Sequence, residues 1–360
     1  MSSEFGTHLK ITVFGESHGP FVGAFVTGLP IGTGIDSDRL MAFMKRRAPG
    51  RSSVVSSRHE DDIPEFTEGV ENGVITGSKI TILIKNKDAK RSDYDPYRNT
   101  PRPSHADYTA WIKWHGNCDM SGGGPFSGRL TAPLCAAGAI ALQVLEQRGI
   151  RIGAHLLRVG DLCDDSYPLF PSAEILSAAS QKEIPVLSDA AGDRIAALLR
   201  DLKERGDSVG GIIECCCTGL PAGLGGPMFD GLEGSISKAV FGIPAVKGIQ
   251  FGAGFSSASM LGSEHNDPFI SDGEHILTKT NNSGGILGGI SCGMPLVFTA
   301  AVKPTPSISL PQETVDLSTG ENAVITIGGR HDPCVAVRAV PVVEAVTAIV
   351  LLDIILGESR

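Results

Sequence analysis

Leu9-Lys10-Ile11-Thr12-Val13-Phe14-Gly15-Glu16-Ser17-His18-Gly19-Pro20-Phe21-Val22-Gly23-Ala24-Phe25-Val26-Thr27 reads as strand, tight turn, strand. β-Branched and aromatic residues on both sides favour extended backbone, and Gly15, Gly19 and Pro20 punctuate the turn between them. The turn contains Gly-x-Ser-x-Gly, the pattern of a hydrolase nucleophile elbow, but that elbow requires a strand followed by a helix. A second strand follows here, which argues against it. The same turn holds His18; an imidazole is the side-chain type suited to shuttling a proton in a pocket, and it could equally just complete the turn.

Outward from this hairpin, strands often follow strands. Val74–Ile84, Val209–Cys217, Ala245–Phe251, Pro295–Val302, Ala323–Ile327 and Cys334–Val340 all read as extended. Helices are expected after Asp36, ending by Pro49; from Thr131 through Leu145; from Ser188 or Asp189 to Gly206; over Leu232–Phe241; and over Pro341–Leu356. Strict strand–helix alternation is absent, so the expectation is an α+β fold, a layered β-α-β sandwich with antiparallel-rich sheets. The motifs lie at both ends and in the middle, which implies one interleaved domain over residues 1–360.

The chain of 360 residues carries 31 Lys+Arg against 40 Asp+Glu, a net charge of −9, which argues against non-specific nucleic-acid or membrane-surface binding. Glycine is 45 of 360, well above the usual share of about 7%, and favours a loop-rich enzyme over a helical bundle. Eight cysteines form no Cys-x-x-Cys pair, so no metal site is expected, and the Cys215-Cys216-Cys217 run reads as small buried hydrophobes. Unpaired thiols suit a reducing compartment, and Met1–Lys10 has no signal-peptide core, so a cytoplasmic location is expected. The greasiest stretch, Ala345–Leu356, is 12 residues long and carries Asp353, too short to span a bilayer.

Against the acidic background, Arg46-Arg47-Ala48-Pro49-Gly50-Arg51 concentrates three guanidiniums, whose forks match phosphate and carboxylate, although a solvated charge run would read alike. Arg102-Pro103-Ser104-His105-Ala106-Asp107 carries a second histidine beyond an extended Pro-rich backbone. Gly122-Gly123-Gly124-Pro125-Phe126-Ser127-Gly128-Arg129 feeds a helix N-terminus, a natural anion seat, but matches neither phosphate-loop nor dinucleotide patterns. Asn281-Asn282-Ser283-Gly284-Gly285-Ile286-Leu287-Gly288-Gly289-Ile290-Ser291 precedes Lys303-Pro304-Thr305-Pro306-Ser307, and Gly329-Arg330-His331-Asp332-Pro333-Cys334 sets a carboxylate beside a guanidinium, with Arg338 beyond.

In order and spacing these six segments resemble the chorismate synthase family, from about Leu9 to Leu356. The resemblance implies a layered fold, a homotetramer, and conversion of 5-enolpyruvylshikimate 3-phosphate to chorismate by 1,4-anti elimination of phosphate. It also implies reduced FMN, supplied by an external flavin reductase or NADPH, without net redox change. By the same resemblance His18 protonates the departing phosphate, His105 lies near flavin N1, and Asp332 works with flavin N5 on the C6 proton. Arg47, Arg51, Arg129 and Arg338 are similar to arginines around the substrate. Ser127, Pro244, Ala245, Gly288, Lys303, Pro304, Thr305, Pro306, Ser307 and Arg330 match FMN-contacting positions. The chain departs from the family where Pro125 and Phe126 replace an arginine and a serine, and where Ser104 replaces a glycine. A flavin-dependent oxidoreductase on an anionic small molecule is the alternative, and would consume NAD(P)H in proportion to product. A small-anion binding protein would need the arginines but not both histidines and Asp332.

Overall fold

The computed structural model describes residues 3–50, 60–87, 99–117, 121–271, 273–328 and 331–358. The opening hairpin forms as its sequence dictates. Lys10–Gly15 and Phe21–Thr27 pair antiparallel, with Phe14 opposite Gly23. Gly23 has to be glycine: a Cβ there would stand 2.5 Å from Phe14 Cζ and 2.6 Å from the Ile82 carbonyl oxygen. Lys79–Lys85 joins the free side of Phe21–Thr27, giving the antiparallel order Glu4–Phe5, Lys10–Gly15, Phe21–Thr27, Lys79–Lys85, Glu65–Glu68. Alternation decides the faces. Val22, Ala24, Val26, Ile80, Ile82 and Ile84 are buried on one face, while Phe21 and Phe25 are exposed on the other.

A second antiparallel sheet has the order Val246–Phe251, Leu296–Val302, Gly211–Thr218, Arg151–Val159, Leu162–Cys163. Between the two sheets lie the helices Ser37–Arg47, Thr131–Glu146, Leu232–Val240 and Ala336–Glu358. Thr131–Glu146 packs on the first sheet and on the last helix, and the last helix packs on the second sheet. The result is the β-α-β sandwich, and every pairing between named strands is antiparallel. The two central helices touch so closely that a Cβ on Gly138 would lie 2.5 Å from Ala345 Cα and 2.7 Å from its carbonyl oxygen.

The largest departure from expectation is Cys334–Val340. It is not a strand; Ala336–Glu358 is one 23-residue helix with Pro341 inside it. A helix buried all round has no polar stripe, so its apolar run looks the same as that of a buried strand. The helix is therefore long and apolar enough to cross a membrane, unlike the 12-residue estimate, but 89% of its most apolar window is buried between the sheets. The expected Val74–Ile84 strand is split into Val74–Ile75 and Lys79–Lys85. Arg151–Val159 and the short helix Asp107–Lys113 had no strong local signal. The Cys215–Cys217 run is fully buried within Gly211–Thr218, and the seven cysteines among the described residues are free thiols.

In the second sheet His155 is fully buried, with Nδ1 3.1 Å from Asp164 Oδ2 and Nε2 2.9 Å from Glu214 Oε2. Burial alone would lower its pKa, but the hydrogen bonds and charges of two carboxylates raise it above the ordinary 6.5. A raised folded pKa stabilises the fold fully below the unfolded pKa, and that contribution is lost as pH climbs through the folded value. The urea midpoint of the wild-type chain is therefore expected to fall from pH 6 to pH 9 more steeply than that of His155→Gln. Parallel midpoint profiles would refute the imidazolium assignment.

Candidate active site

The turn after the first strand places His18 against the triple-glycine loop. Gly122, Gly123 and Gly124 have φ of +62°, +93° and +49°, a conformation few side chains tolerate. A Cβ on Gly122 would fall on the His18 ring, and one on Gly123 would stand 3.4 Å from His105 Nε2. The loop thus runs between the two imidazoles. Asn86 anchors the His18 turn by donating to the carbonyls of Glu16 (3.0 Å) and Gly19 (2.8 Å), and its Oδ1 accepts from Arg129 Nε at 2.7 Å.

His105 is oriented from its other side. Its Nδ1 lies 2.7 Å from Asp107 Oδ1, and Arg102 grips Asp107 through Nε (2.7 Å) and Nη2 (2.8 Å). Although burial works against ionisation, hydrogen bonds from Arg102 and His105 hold the Asp107 carboxyl far below the usual carboxylate range. His105 is pushed the other way: burial, with Arg102 and Lys303 nearby, lowers its pKa despite Asp107, so the ring is neutral at pH 7. Nδ1 also lies 3.1 Å from Arg102 Nη2, which can only donate, but Asp107 Oδ1 is closer and can only accept. Nδ1–H donated to Asp107 is therefore the better-matched tautomer and leaves Nε2 as an acceptor on the side of the glycine loop.

The arginines converge on Asp62. Arg47, in the last turn of Ser37–Arg47, donates from Nη1 to Asp62 Oδ2 at 2.5 Å, from Nη2 to the Gly128 carbonyl at 2.8 Å and from Nε to Thr131 Oγ1 at 3.1 Å. Arg129 donates from Nη1 to the other carboxylate oxygen and from Nη2 to the Lys85 carbonyl at 3.1 Å. All three side chains are buried. Burial would raise the Asp62 pKa, but the two guanidiniums keep it lowered and the carboxylate ionised. Arg338 donates from Nε to the Arg47 carbonyl (3.0 Å) and from Nη1 to Asp332 Oδ2 (2.8 Å). Asp332, itself buried, accepts at its carbonyl from Thr305 Oγ1 at 2.7 Å.

The segment 303–307 joins the two halves. Lys303 N donates to the Ala245 carbonyl at 2.9 Å, Lys303 Nζ donates to the Ser104 carbonyl, and Arg102 Nη1 reaches Ser307 Oγ at 3.3 Å. Pro306 accepts from Gln312 Nε2 at 3.3 Å, and Pro304 is exposed. Pro244 precedes Ala245, which holds φ of +73° without being glycine. Ser104 sits at φ of +56°, a conformation that favours glycine. Ser127 Oγ accepts from Arg129 N at 3.3 Å. Phe126 packs against Trp114, the ring centroids 5.9 Å apart and the planes tilted by 38°. Gly288 stands at the exposed tip of the hairpin Ile286–Leu287/Ile290–Ser291, where a Cβ would meet no atom within 4 Å. Arg51 and Arg330 lie outside the described residues.

His18, His105, Asp332, Arg47, Arg129, Arg338, Ser127, Ala245 and Lys303–Ser307 are therefore linked through contacts in one chain. Sequence reading missed Asp62 and Asn86 altogether, read Thr131 only as a helix start, and gave Arg102 and Asp107 no role. The acidic triplet Glu60-Asp61-Asp62 after an arginine cluster was the one signal that pointed to a counter-ion.

Two imidazoles, a buried carboxylate and clustered guanidiniums thus stand in one region, groups of the kind that move protons and hold anions. The profile of the chorismate synthase family matches residues 9–356, and the chain belongs to that family of carbon–oxygen lyases. It is 44% identical to the chorismate synthase of Lancefieldella parvula over 98% of this chain and 96% of that one. It is 45% identical to that of Thermococcus gammatolerans over 97% of this chain and 96% of the other. A crystal structure of chorismate synthase superposes with a TM-score of 0.77 at 27% identity, covering 98% of this chain and 93% of that chain.

Proposed function

We propose that the site eliminates phosphate from 5-enolpyruvylshikimate 3-phosphate in the 1,4-anti sense, with reduced FMN bound and no net redox change. The carrying observation is the continuity of the site: His18 and His105 flank one glycine loop, and Asp332 connects to the same arginines through Arg338. Arg47, Arg129 and Arg338 hold the substrate's anionic groups, with Arg51 in the same role. Fixed guanidiniums stabilise the charge that builds as the C–O bond to phosphate breaks. His18 supplies a proton to the departing phosphate, and Asp332 accepts one.

The residues fit a phosphorylated flavin. Burial and the charge of Lys247 lower the pKa of Lys303, so an anion there would relieve the repulsion between the two lysines. Ser127, Pro244, Ala245, Gly288, Lys303, Pro304, Thr305, Pro306, Ser307 and Arg330 would hold it, with neutral His105 Nε2 available as an acceptor. When bound, reduced FMN supplies electron density to the developing allylic centre. An external flavin reductase or NADPH would keep it reduced. The many free thiols favour a cytoplasmic setting. Exposed Met228, Phe229, Phe255, Leu261, Phe269 and Ile276 favour burial against further copies in a homotetramer.

The test is anaerobic turnover with dithionite-reduced FMN, following chorismate and inorganic phosphate together. Equimolar products, many turnovers per flavin and no proportional NAD(P)H consumption are expected. Stoichiometric nicotinamide oxidation would favour the oxidoreductase, and turnover without flavin would overturn the assignment.

A further inference from the structure

Asp62 belongs to none of the six motifs, yet it is the group on which the arginines meet. Its carboxylate is fully buried, one oxygen accepting from Arg47 and the other from Arg129. The residue itself holds φ of +49°, left-handed backbone that few side chains adopt. Three separate pieces of chain meet at this carboxylate: the last turn of Ser37–Arg47, the loop before Glu65–Glu68, and the turn that opens Thr131–Glu146. Neutral acceptors, Thr131 Oγ1 and the Gly128 carbonyl for Arg47, Asn86 Oδ1 and the Lys85 carbonyl for Arg129, take further guanidinium protons. The orientation of both arginines is thereby fixed before any ligand arrives. The Arg47 carbonyl passes the constraint to Arg338, and so to Asp332.

We propose that Asp62 is a positioning residue for the elimination, the shared counter-ion that sets Arg47 and Arg129 as one fixed anion seat for the leaving phosphate. This rests on the proposed reaction. Without Asp62 the two buried guanidiniums lose the carboxylate they share, leaving Arg129 as ion pair only the longer one with Glu60 Oε2 at 3.7 Å, and Arg47 only neutral acceptors. Asn is nearly the same shape but presents an N–H₂ to one arginine and carries no charge. Substrate affinity should change little: in Asp62→Asn the extra net positive charge offsets the lost order for a polyanion, and in Asp62→Glu the net charge is unchanged. The rate should fall, because the departing phosphate needs donors already in place.

The experiment compares wild type, Asp62→Asn and Asp62→Glu, the last keeping the charge on a stem one methylene longer. Steady-state kinetics on 5-enolpyruvylshikimate 3-phosphate is paired with calorimetric binding of the same compound, with and without oxidised FMN, and with thermal midpoints to correct for folded fraction. Expected is a kcat loss of about 10- to 100-fold in both variants, with Kd and KM within about threefold of wild type. A fall in midpoint with unchanged kcat per folded molecule would make Asp62 merely structural and overturn the proposal, as would a loss confined to KM. If Asp62→Asn fails to fold, Asp62→Glu alone decides by the same criterion. Wild-type enzyme that makes no chorismate would sink the proposed reaction and this inference with it, an outcome distinct from active wild type with unaffected variants.

Discussion

Gly122→Ala is expected to lower kcat by about 10²–10⁴-fold, the range that a misplaced general acid costs. The added methyl has nowhere to go but the His18 ring, since Gly122 sits at φ of +62° and the nearest atoms to its Cβ are His18 Cε1, Nδ1 and Nε2. Either the ring moves or the glycine loop does. A shift of the loop also carries Gly123, whose Cβ position lies 3.4 Å from His105 Nε2, so both imidazoles leave their places together. The backbone penalty of about 1–2 kcal/mol is small beside a typical stability of about 5–15 kcal/mol, so the variant should still fold. Anaerobic steady-state rates, with circular dichroism and oxidised-FMN binding as controls, measure the effect. A kcat within threefold of wild type would show that the loop does not set the His18 position.

The layered fold was legible because its outer strands carry plain signals. Phe21–Thr27 alternates and ends at glycine turns, and the helix Ser37–Arg47 begins at Asp36, whose side chain accepts from Arg39 N at 3.0 Å. The middle layer was less legible for a physical reason. Within Cys334–Val340 three valines favour a strand, yet from Ala336 the chain is helix, packed in the middle layer. Arg151–Val159 hid because Gly153, Ala154 and His155 are weak strand formers; pairing with Gly211–Thr218 supplies what propensity lacks. In the site, the histidines and Asp332 stood inside recognisable segments. Asp62 and Asn86 did not, because their value lies in which distant arginine they face, and that is a property of the fold.

Glu344→Ala is expected to destabilise the chain by about 3–5 kcal/mol, the range for removing one partner of a buried ion pair. Glu344 lies on the last helix in the middle layer, its side chain 4% exposed. It accepts from Arg46 Nη1 (2.6 Å) and Nη2 (2.7 Å), a two-pronged pair, and from Ala154 N at 2.9 Å. One carboxylate thus ties the first helix, the last helix and the second sheet. Alanine would leave the Arg46 charge buried and the Ala154 N–H without its acceptor. Arg46 cannot escape by losing its proton. Burial pulls its pKa down, but the charge and hydrogen bonds of Glu344 more than reverse this, and even alone guanidinium titrates above about 12. The pair is an expensive way to join these elements, so the double variant Arg46→Met/Glu344→Leu should regain most of the loss. Urea unfolding of wild type, single and double variants measures both effects. A single-variant loss under about 1 kcal/mol would mean water reaches Arg46, and a double variant as unstable as the single would mean that shape, not charge, fixes this junction.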